Sequence, residues 1–244
     1  MRGAVRSSVL WTFAALVAMC WALGCPSEDA RPGDEFEVRA TISVTHTREP
    51  PAPGFPAAVV RVFRCGAPVT DATVTIDGSA LALQPDDTYR ATLAVSAGDV
   101  LDLSVIDGDI SVAGTVTMAG EIAIDAPNMT DGPYDAALEI PVGWTPSSAT
   151  PDTVTFAVTG WDTVSGQDTF MDFDGAATDA AIPGGTISGG RSLPGPTVSF
   201  KLVAVNEASS LEIYPAPGSP VHILSPDSYL RTQWWTAAAS FETQ

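Results

Sequence analysis

The sequence predicts an all-β fold, with two antiparallel β-sandwich domains behind a cleaved signal peptide. Apolar and polar residues alternate with a period of two through most of the chain, which is typical of strands buried on one face. Short turn sequences such as Asp77-Gly78 and Asp107-Gly108 separate these runs. After residue 24, no segment keeps a helical period for more than a turn or two. Regularly spaced short strands of this kind favour a β-sandwich.

The first 24 residues form an export signal. Arg2 and Arg6 precede an almost unbroken apolar run over residues 9–23, and a short apolar run behind positive charges is typical of a signal peptide. The run is shorter than the roughly 20 residues that a membrane span needs. We therefore expect residues 1–24 to be absent from the mature, exported protein.

The end of this signal, Ala22-Leu23-Gly24-Cys25, resembles the lipobox of bacterial lipoproteins, although Leu is usual where Ala22 stands. The resemblance implies cleavage before Cys25, acylation of its thiol with fatty acids such as palmitate, and anchoring on a bacterial membrane. Pro26, where an Asp would imply retention at the inner membrane, implies an outer-membrane location facing the periplasm or the cell surface. The alternative is an ordinary signal peptide cut near the same point, with Cys25 as an unmodified thiol.

The mature chain is strongly acidic. The full sequence has 11 basic and 29 acidic residues, and residues 1–24 contain two Arg and no acid, which leaves nine against 29 and a formal charge of −20. A nucleic-acid partner is excluded because the phosphate backbone would be repelled. Such a charge keeps a protein soluble and discourages self-association.

Two sandwich modules follow a polar tether over residues 25–35. Alternation over residues 36–45, 73–76, 89–96 and 101–105 predicts a first module spanning 36–126. Within it, Ala67-Pro-Val-Thr-Asp-Ala-Thr-Val-Thr-Ile-Asp-Gly, followed by Tyr89-Arg-Ala and Ala97-Gly-Asp, resembles the carboxypeptidase regulatory-like or Ig-like modules of secreted bacterial proteins. The aperiodic stretch 126–134, rich in Pro, Asn, Asp and Gly, predicts a domain boundary.

Alternation resumes in a second module, spanning 135–244. Ile140-Pro-Val-Gly-Trp144, Phe156-Ala-Val and Phe200-Lys-Leu-Val-Ala-Val-Asn206 resemble a fibronectin type III module. We also interpret the tail from Tyr229 to Phe241 as strand. These families imply architecture and not activity.

Motifs that carry catalysis or bind zinc are missing. The chain has two histidines, His46 and His222, and lacks H-E-x-x-H, C-x-x-C, G-x-S-x-G and P-loop sequences. After loss of Cys20 and acylation of Cys25, Cys65 would be the remaining cysteine, which we interpret as a small buried apolar residue. We therefore expect no enzymatic activity and no cofactor, with calcium as the one exception.

The candidate calcium ligands are Asp172, Asp174 and Asp179, in an acidic stretch that also contains Asp162 and Asp168. The stretch lacks the ligand spacing and closing Glu of an EF-hand, but loop carboxylates of extracellular modules bind calcium weakly. The alternative interpretation is a solvated acidic loop.

Aromatic residues supply the candidate binding site. We expect Trp144 and Trp161 to lie in the core. Trp234 and Trp235 are adjacent, so on a strand they face opposite ways. One of them, with Tyr229, predicts a platform for a sugar or a partner protein, and the alternative is that it covers the interface between the sandwiches.

These observations predict a non-catalytic, lipid-anchored cell-envelope protein that acts as a binding, adhesion or scaffolding module. Its expected partners are the membrane, through the N-terminal lipid, and an envelope protein or polysaccharide. The alternative function is a carbohydrate-active enzyme or the accessory binding module of one.

Overall fold

The computed structural model describes residues 35–45, 57–146, 149–188, 197–208, 210–219 and 222–244. The signal peptide, Cys25, most of the tether and His46 lie outside these residues. The described chain is all-β and forms antiparallel sandwiches, which confirms the predicted fold class. No helix within it has the length and apolar character that a membrane crossing requires. Its one helical element is a 3₁₀ turn, Gly160–Asp162.

The strands are β1 Glu35–Thr45, β2 Ala57–Arg64, β3 Ala67–Pro68, β4 Thr73–Ile76, β5 Ser79–Ala80, β6 Ala82–Leu83, β7 Tyr89–Thr92, β8 Val100–Asp107, β9 Ile110–Thr117, β10 Ile122–Ala126, β11 Ile140–Pro146, β12 Thr153–Val158, β13 Thr169–Asp174, β14 Asp179–Ile182, β15 Thr197–Glu207, β16 Leu211–Pro215, β17 Ile223–Leu224, β18 Tyr229–Trp235 and β19 Ala239–Glu242.

One long sheet runs through both sandwiches, in the order β13-β12-β15-β18-β1-β2-β7-β6. Its β1–β2–β7 side faces a five-stranded sheet, β16-β9-β8-β4-β5, and its β12–β15 side faces a three-stranded sheet, β10-β11-β14. Each pair of facing sheets encloses a hydrophobic cluster. The alternating residues of β1 illustrate the cause, because Phe36, Val38, Ala40 and Ile42 are all fully buried against the first cluster.

The C-terminal strand β18 joins the two sandwiches. It pairs in parallel with β1, where Thr41 is level with Arg231, and antiparallel with β15, where Val205 is level with Gln233. The chain leaves the first cluster at Met118 and enters the second at Ala119, and Leu230 returns to the first. Each core is therefore built from segments that alternate along the chain. The domain ranges 36–126 and 135–244 stay predictions.

A buried polar network holds the junction together. The Thr232 hydroxyl donates to the Thr117 carbonyl at 2.8 Å and accepts from the Ala119 N–H at 2.9 Å. The Asn206 side-chain amide donates to the same carbonyl at 3.2 Å, and its oxygen accepts from the Asp152 N–H at 3.0 Å. These bonds satisfy backbone groups that lose water where the sheets meet.

Candidate functional site

The three predicted platform residues lie on β18, but the strand does not bring them together. Tyr229 and Trp235 are on the outer face of the long sheet, six residues apart, which is about 20 Å along a strand. The Arg231 guanidinium lies 4.6 Å from the centroid of the Tyr229 ring, so this ring already has a cationic partner. Tyr229 therefore does not share a binding surface with Trp235.

Trp234 faces inward. Its ring contacts both hydrophobic clusters, and its indole N–H is buried without a hydrogen-bond partner. It covers the interface between the sandwiches, which is the structural role that the sequence left open for one of the two tryptophans.

Trp235 borders an open groove of about 300 Å³ on the outer face of the long sheet. The groove follows from the strand register, since Phe170, Ala157 and Lys201 lie side by side on β13, β12 and β15. The small Ala157 side chain forms the floor between two long neighbours. The register places Thr159 and Ser199 beyond this row, and both contribute hydroxyl groups to the groove.

Trp161 lies on a neighbouring surface that meets this groove at Asp168. It borders a second concave surface of about 650 Å³, and Asp168 lines both. The Trp161 side chain is 85% exposed and that of Phe170 is 61% exposed. The prediction that Trp161 lies in the core is wrong, whereas Trp144 is fully buried and stacks on Phe173 at 6.0 Å.

The loop that presents Trp161 is fixed by hydrogen bonds to two aspartates. Asp168 Oδ1 accepts from the Gly160 N–H at 2.8 Å, and buried Asp162 accepts from the Ser199 N–H at 3.1 Å. A Cβ at Gly160 would lie 2.7 Å from the Gly166 carbonyl oxygen, so the turn requires glycine there. These side chains order the loop because they bond to its backbone and to the neighbouring β15.

The predicted calcium ligands do not form a metal centre. Asp172 lies on β13 and accepts from the Thr155 hydroxyl at 2.6 Å, while Asp174 accepts from the Ala176 N–H at 2.9 Å in its own turn. Asp179 begins β14 in the three-stranded sheet. In the described part of the chain, no group of three or more His, Cys, Asp or Glu side chains is placed to hold a metal ion. The sequence analysis assigned the three aspartates to one acidic stretch, but strand pairing places Asp172 and Asp174 in the long sheet and Asp179 in the three-stranded sheet.

A Ser, an Asp and a His meet at the opposite end of the first sandwich. His222 Nε2 lies 3.8 Å from Asp109, and both ring nitrogens are buried without hydrogen bonds. The pKa of Asp109 lies below its ordinary value of 3.8, mainly because the Ser219 hydroxyl bonds to it, with smaller effects of its own backbone and of the His222 and Arg64 charges. A catalytic triad needs the serine on the imidazole, so this is not a nucleophilic site.

Cys65 is not the buried apolar residue that the sequence suggested. It is exposed at a tight turn after β2, with a φ of 52°, and it is disulfide-bonded. It is the only cysteine among the described residues, so its partner lies outside them.

Sequence reasoning identified Trp235 but missed Phe170, Asp168 and Lys201 as its neighbours in one groove, and Trp161 on the adjoining surface. Phe170 and Phe173 are three positions apart and lie on opposite faces of β13, with Phe170 exposed and Phe173 half-buried. The other groove residues come together through the register of the neighbouring strands β13, β12 and β15. Local periodicity along one strand does not specify that register.

No protein-family model matches the chain, and no curated protein matches it. Among solved structures, the chain is similar to one described as DIP-gamma IG1+IG2, at 9% identity and a TM-score of 0.21, over 84% of this chain and 98% of that one. At these values the similarity carries no conclusion about function.

Proposed function

We propose that this is a non-catalytic, exported envelope protein that binds a polysaccharide in the groove between Trp161, Phe170 and Trp235. The observation that carries the proposal is that Phe170 and Trp235 border one groove and Trp161 borders a second concave surface that shares Asp168 with it, with Trp161 and Phe170 largely exposed. Exposed apolar groups gathered at one place mark a binding site. The C–H faces of a pyranose stack on aromatic rings, and its hydroxyls bond to groups such as Asp168, Thr159 and Ser199.

The long sheet holds this groove away from the N-terminus. Ser43 on β1 is level with Gln233, and Gln233 is level with Val205 on β15, which runs in the opposite direction. Eight residues of β1 and six of β15, at about 3.3 Å each, put Ser199 about 45 Å from Glu35. A chain anchored at its N-terminus would thus present the groove far from the anchor.

A binding role is favoured over catalysis on carbohydrate. Glycoside hydrolysis needs two carboxyl groups, about 5 to 9.5 Å apart. Asp168 is the only carboxylate that lines either concave surface among the described residues, and its Oδ1 already accepts from Gly160.

The anchor belongs to the same proposal. The lipobox-like Gly24-Cys25 supports a lipid on Cys25 that holds the mature chain on a bacterial membrane, with the outer membrane favoured by Pro26. The acidic mature chain disfavours a nucleic-acid partner, because its charge would repel the phosphate backbone.

Binding is tested by affinity electrophoresis of the mature chain through a panel of envelope polysaccharides. Trp161→Ala and Phe170→Ala should each weaken binding about tenfold, equivalent to about 1.4 kcal/mol, without loss of folding, because both side chains are largely exposed. Tyr214→Ala, at a 52% exposed ring on the other sandwich, is the matched control. Equal retardation of all three variants and the parent would refute the groove as the binding site.

The anchor is tested separately by membrane fractionation of cells that express Cys25→Ser. We expect this variant in the soluble export fraction or as the uncleaved precursor, with Cys20→Ser behaving like the parent. Parent-like fractionation of Cys25→Ser would exclude the lipid anchor and leave the groove untouched.

A further inference from the structure

The groove contains one positive charge, on Lys201. This residue is the only lysine of the chain. Among the described residues, it is also the only basic side chain on the strands that belong to the second sandwich alone, since the described arginines lie on β1, β2, β7 and the shared strand β18. Its place in the row with Phe170 and Ala157 directs it into the groove.

No carboxylate among the described residues forms an ion pair with Lys201. It forms no ion pair or hydrogen bond with any described residue, although the chain has 29 acids. Two arginines of the long sheet differ, since Arg39 pairs with Glu37 and Arg90 with Asp86. The nearest groove carboxylate, Asp168, is bonded to the Gly160 N–H. A half-buried lysine whose ammonium has no partner among the described residues, in a groove with aromatic walls, supplies a counter-charge for an anionic ligand.

Resting on the proposed function, we propose that the polysaccharide is acidic and places an anionic group, a carboxylate or a phosphate, against Lys201 while neighbouring sugar rings stack on Phe170, Trp161 and Trp235. A compact ammonium accepts either anion as a point charge. The formal charge of −20 on the mature chain repels a densely charged polymer. The ligand class is therefore a glycan whose acidic groups are spaced by neutral sugars.

The test uses two pairs of polymers whose acidic groups are spaced by neutral sugars. One pair is a polysaccharide in which uronic acids alternate with neutral sugars and the same polymer after its carboxyl groups are reduced to alcohols, and the other is a sparsely phosphorylated glucan and its unmodified form. The parent protein should bind the acidic member of at least one pair about five- to tenfold more tightly at low salt, equivalent to about 1–1.4 kcal/mol. Added salt should reduce this preference. The pair that shows the preference identifies the anion as carboxylate or phosphate.

Lys201→Gln should abolish the preference and keep the affinity for the neutral polymers, whereas Lys201→Arg should keep both. Urea denaturation of the two variants checks that each is folded. Equal affinity of the parent for the acidic and neutral members of both pairs overturns the inference, as does an equal loss for acidic and neutral polymers in Lys201→Gln. If Phe170→Ala and Trp161→Ala also leave every affinity unchanged, the groove itself fails, so the two proposals are distinguishable.

Discussion

Replacing Thr232 with Val tests whether the buried network couples the two sandwiches. Thr232 is fully buried, and Val has nearly the same shape, so packing is kept while the hydroxyl is lost. The change leaves the buried Ala119 N–H without an acceptor. The Thr117 carbonyl keeps the bond from Asn206, so one unsatisfied donor dominates the cost. An orphaned buried donor costs about 1–3 kcal/mol, and we expect the free energy of unfolding to fall by about 2 kcal/mol.

The measurement is urea denaturation of the mature chain, followed by tryptophan fluorescence, with an unchanged slope and a lower midpoint. Thr92→Val, at an exposed threonine of β7 whose hydroxyl has no hydrogen bond among the described residues, is the control and should stay within about 0.5 kcal/mol of the parent. A Thr232→Val variant as stable as this control would refute the coupling role. Asn206→Ala combined with Thr232→Val should cost more than the two single changes added, because both side chains bond to one carbonyl.

Three further changes test the core and its charges. Trp144→Ala should lower the free energy of unfolding by about 3–5 kcal/mol through loss of buried contacts, measured by urea denaturation, whereas a change below about 1 kcal/mol would contradict its place in the second core. Tyr89→Phe should cost about 1–2 kcal/mol in the same assay, because the hydroxyl donates to a carbonyl and accepts an N–H, and a neutral result would mean that water replaces both bonds. The pKa of Asp109 is depressed in the folded state, so its stabilising effect is present above pH 3.8 and is lost as the pH falls below that value. Ser219→Ala should reduce this acid-dependent loss in melts between pH 5 and pH 3, and an identical pH profile would contradict the assigned cause.

Local patterns predicted most of the strands because burial on one face imposes a period of two. The alternation from Phe36 to Ile42 and the strand character of the tail with Trp234 and Trp235 are both confirmed. The pairing of β18 with β1 was not predicted, since it joins residues about 190 positions apart. Local alternation states which face is buried and does not state which strand lies beside it.

The candidate site was likewise predicted only in part from the sequence. Trp161 was assigned to the core from its apolar character, but the 3₁₀ turn after β12 directs it away from both clusters. Asp162, which the sequence placed in a solvated loop, is buried and holds that turn onto β15. Acidic side chains that cap backbone groups are indistinguishable in the sequence from those that face solvent. Trp235 was identified, but Phe170 and Lys201 required the register of three strands.

The small number of cysteines makes a lipid and a disulfide alternatives for the sulfur of Cys25. Cys65 is disulfide-bonded, and the chain has two other cysteines, of which Cys20 would be removed with the predicted signal peptide. A thioether to lipid and a disulfide to Cys65 then compete for the sulfur of Cys25. The Cys65 N–H bonds to the Glu35 carbonyl at 2.9 Å, so the Cys65 turn lies beside the start of β1, ten residues after Cys25. Because an extended residue spans about 3.3–3.6 Å, the ten residues between Cys25 and Glu35 are long enough to permit such a disulfide.

Mass spectrometry of unreduced peptides from the membrane-extracted protein distinguishes the lipid-bearing form from the disulfide-bonded form. Under the proposed anchor, the peptide that begins with Cys25 carries lipid mass, and Cys65 is then disulfide-bonded to a thiol from outside the mature chain. A peptide linking Cys25 to Cys65 would exclude the lipid anchor and replace it with a covalent attachment of the N-terminal segment to the first sandwich.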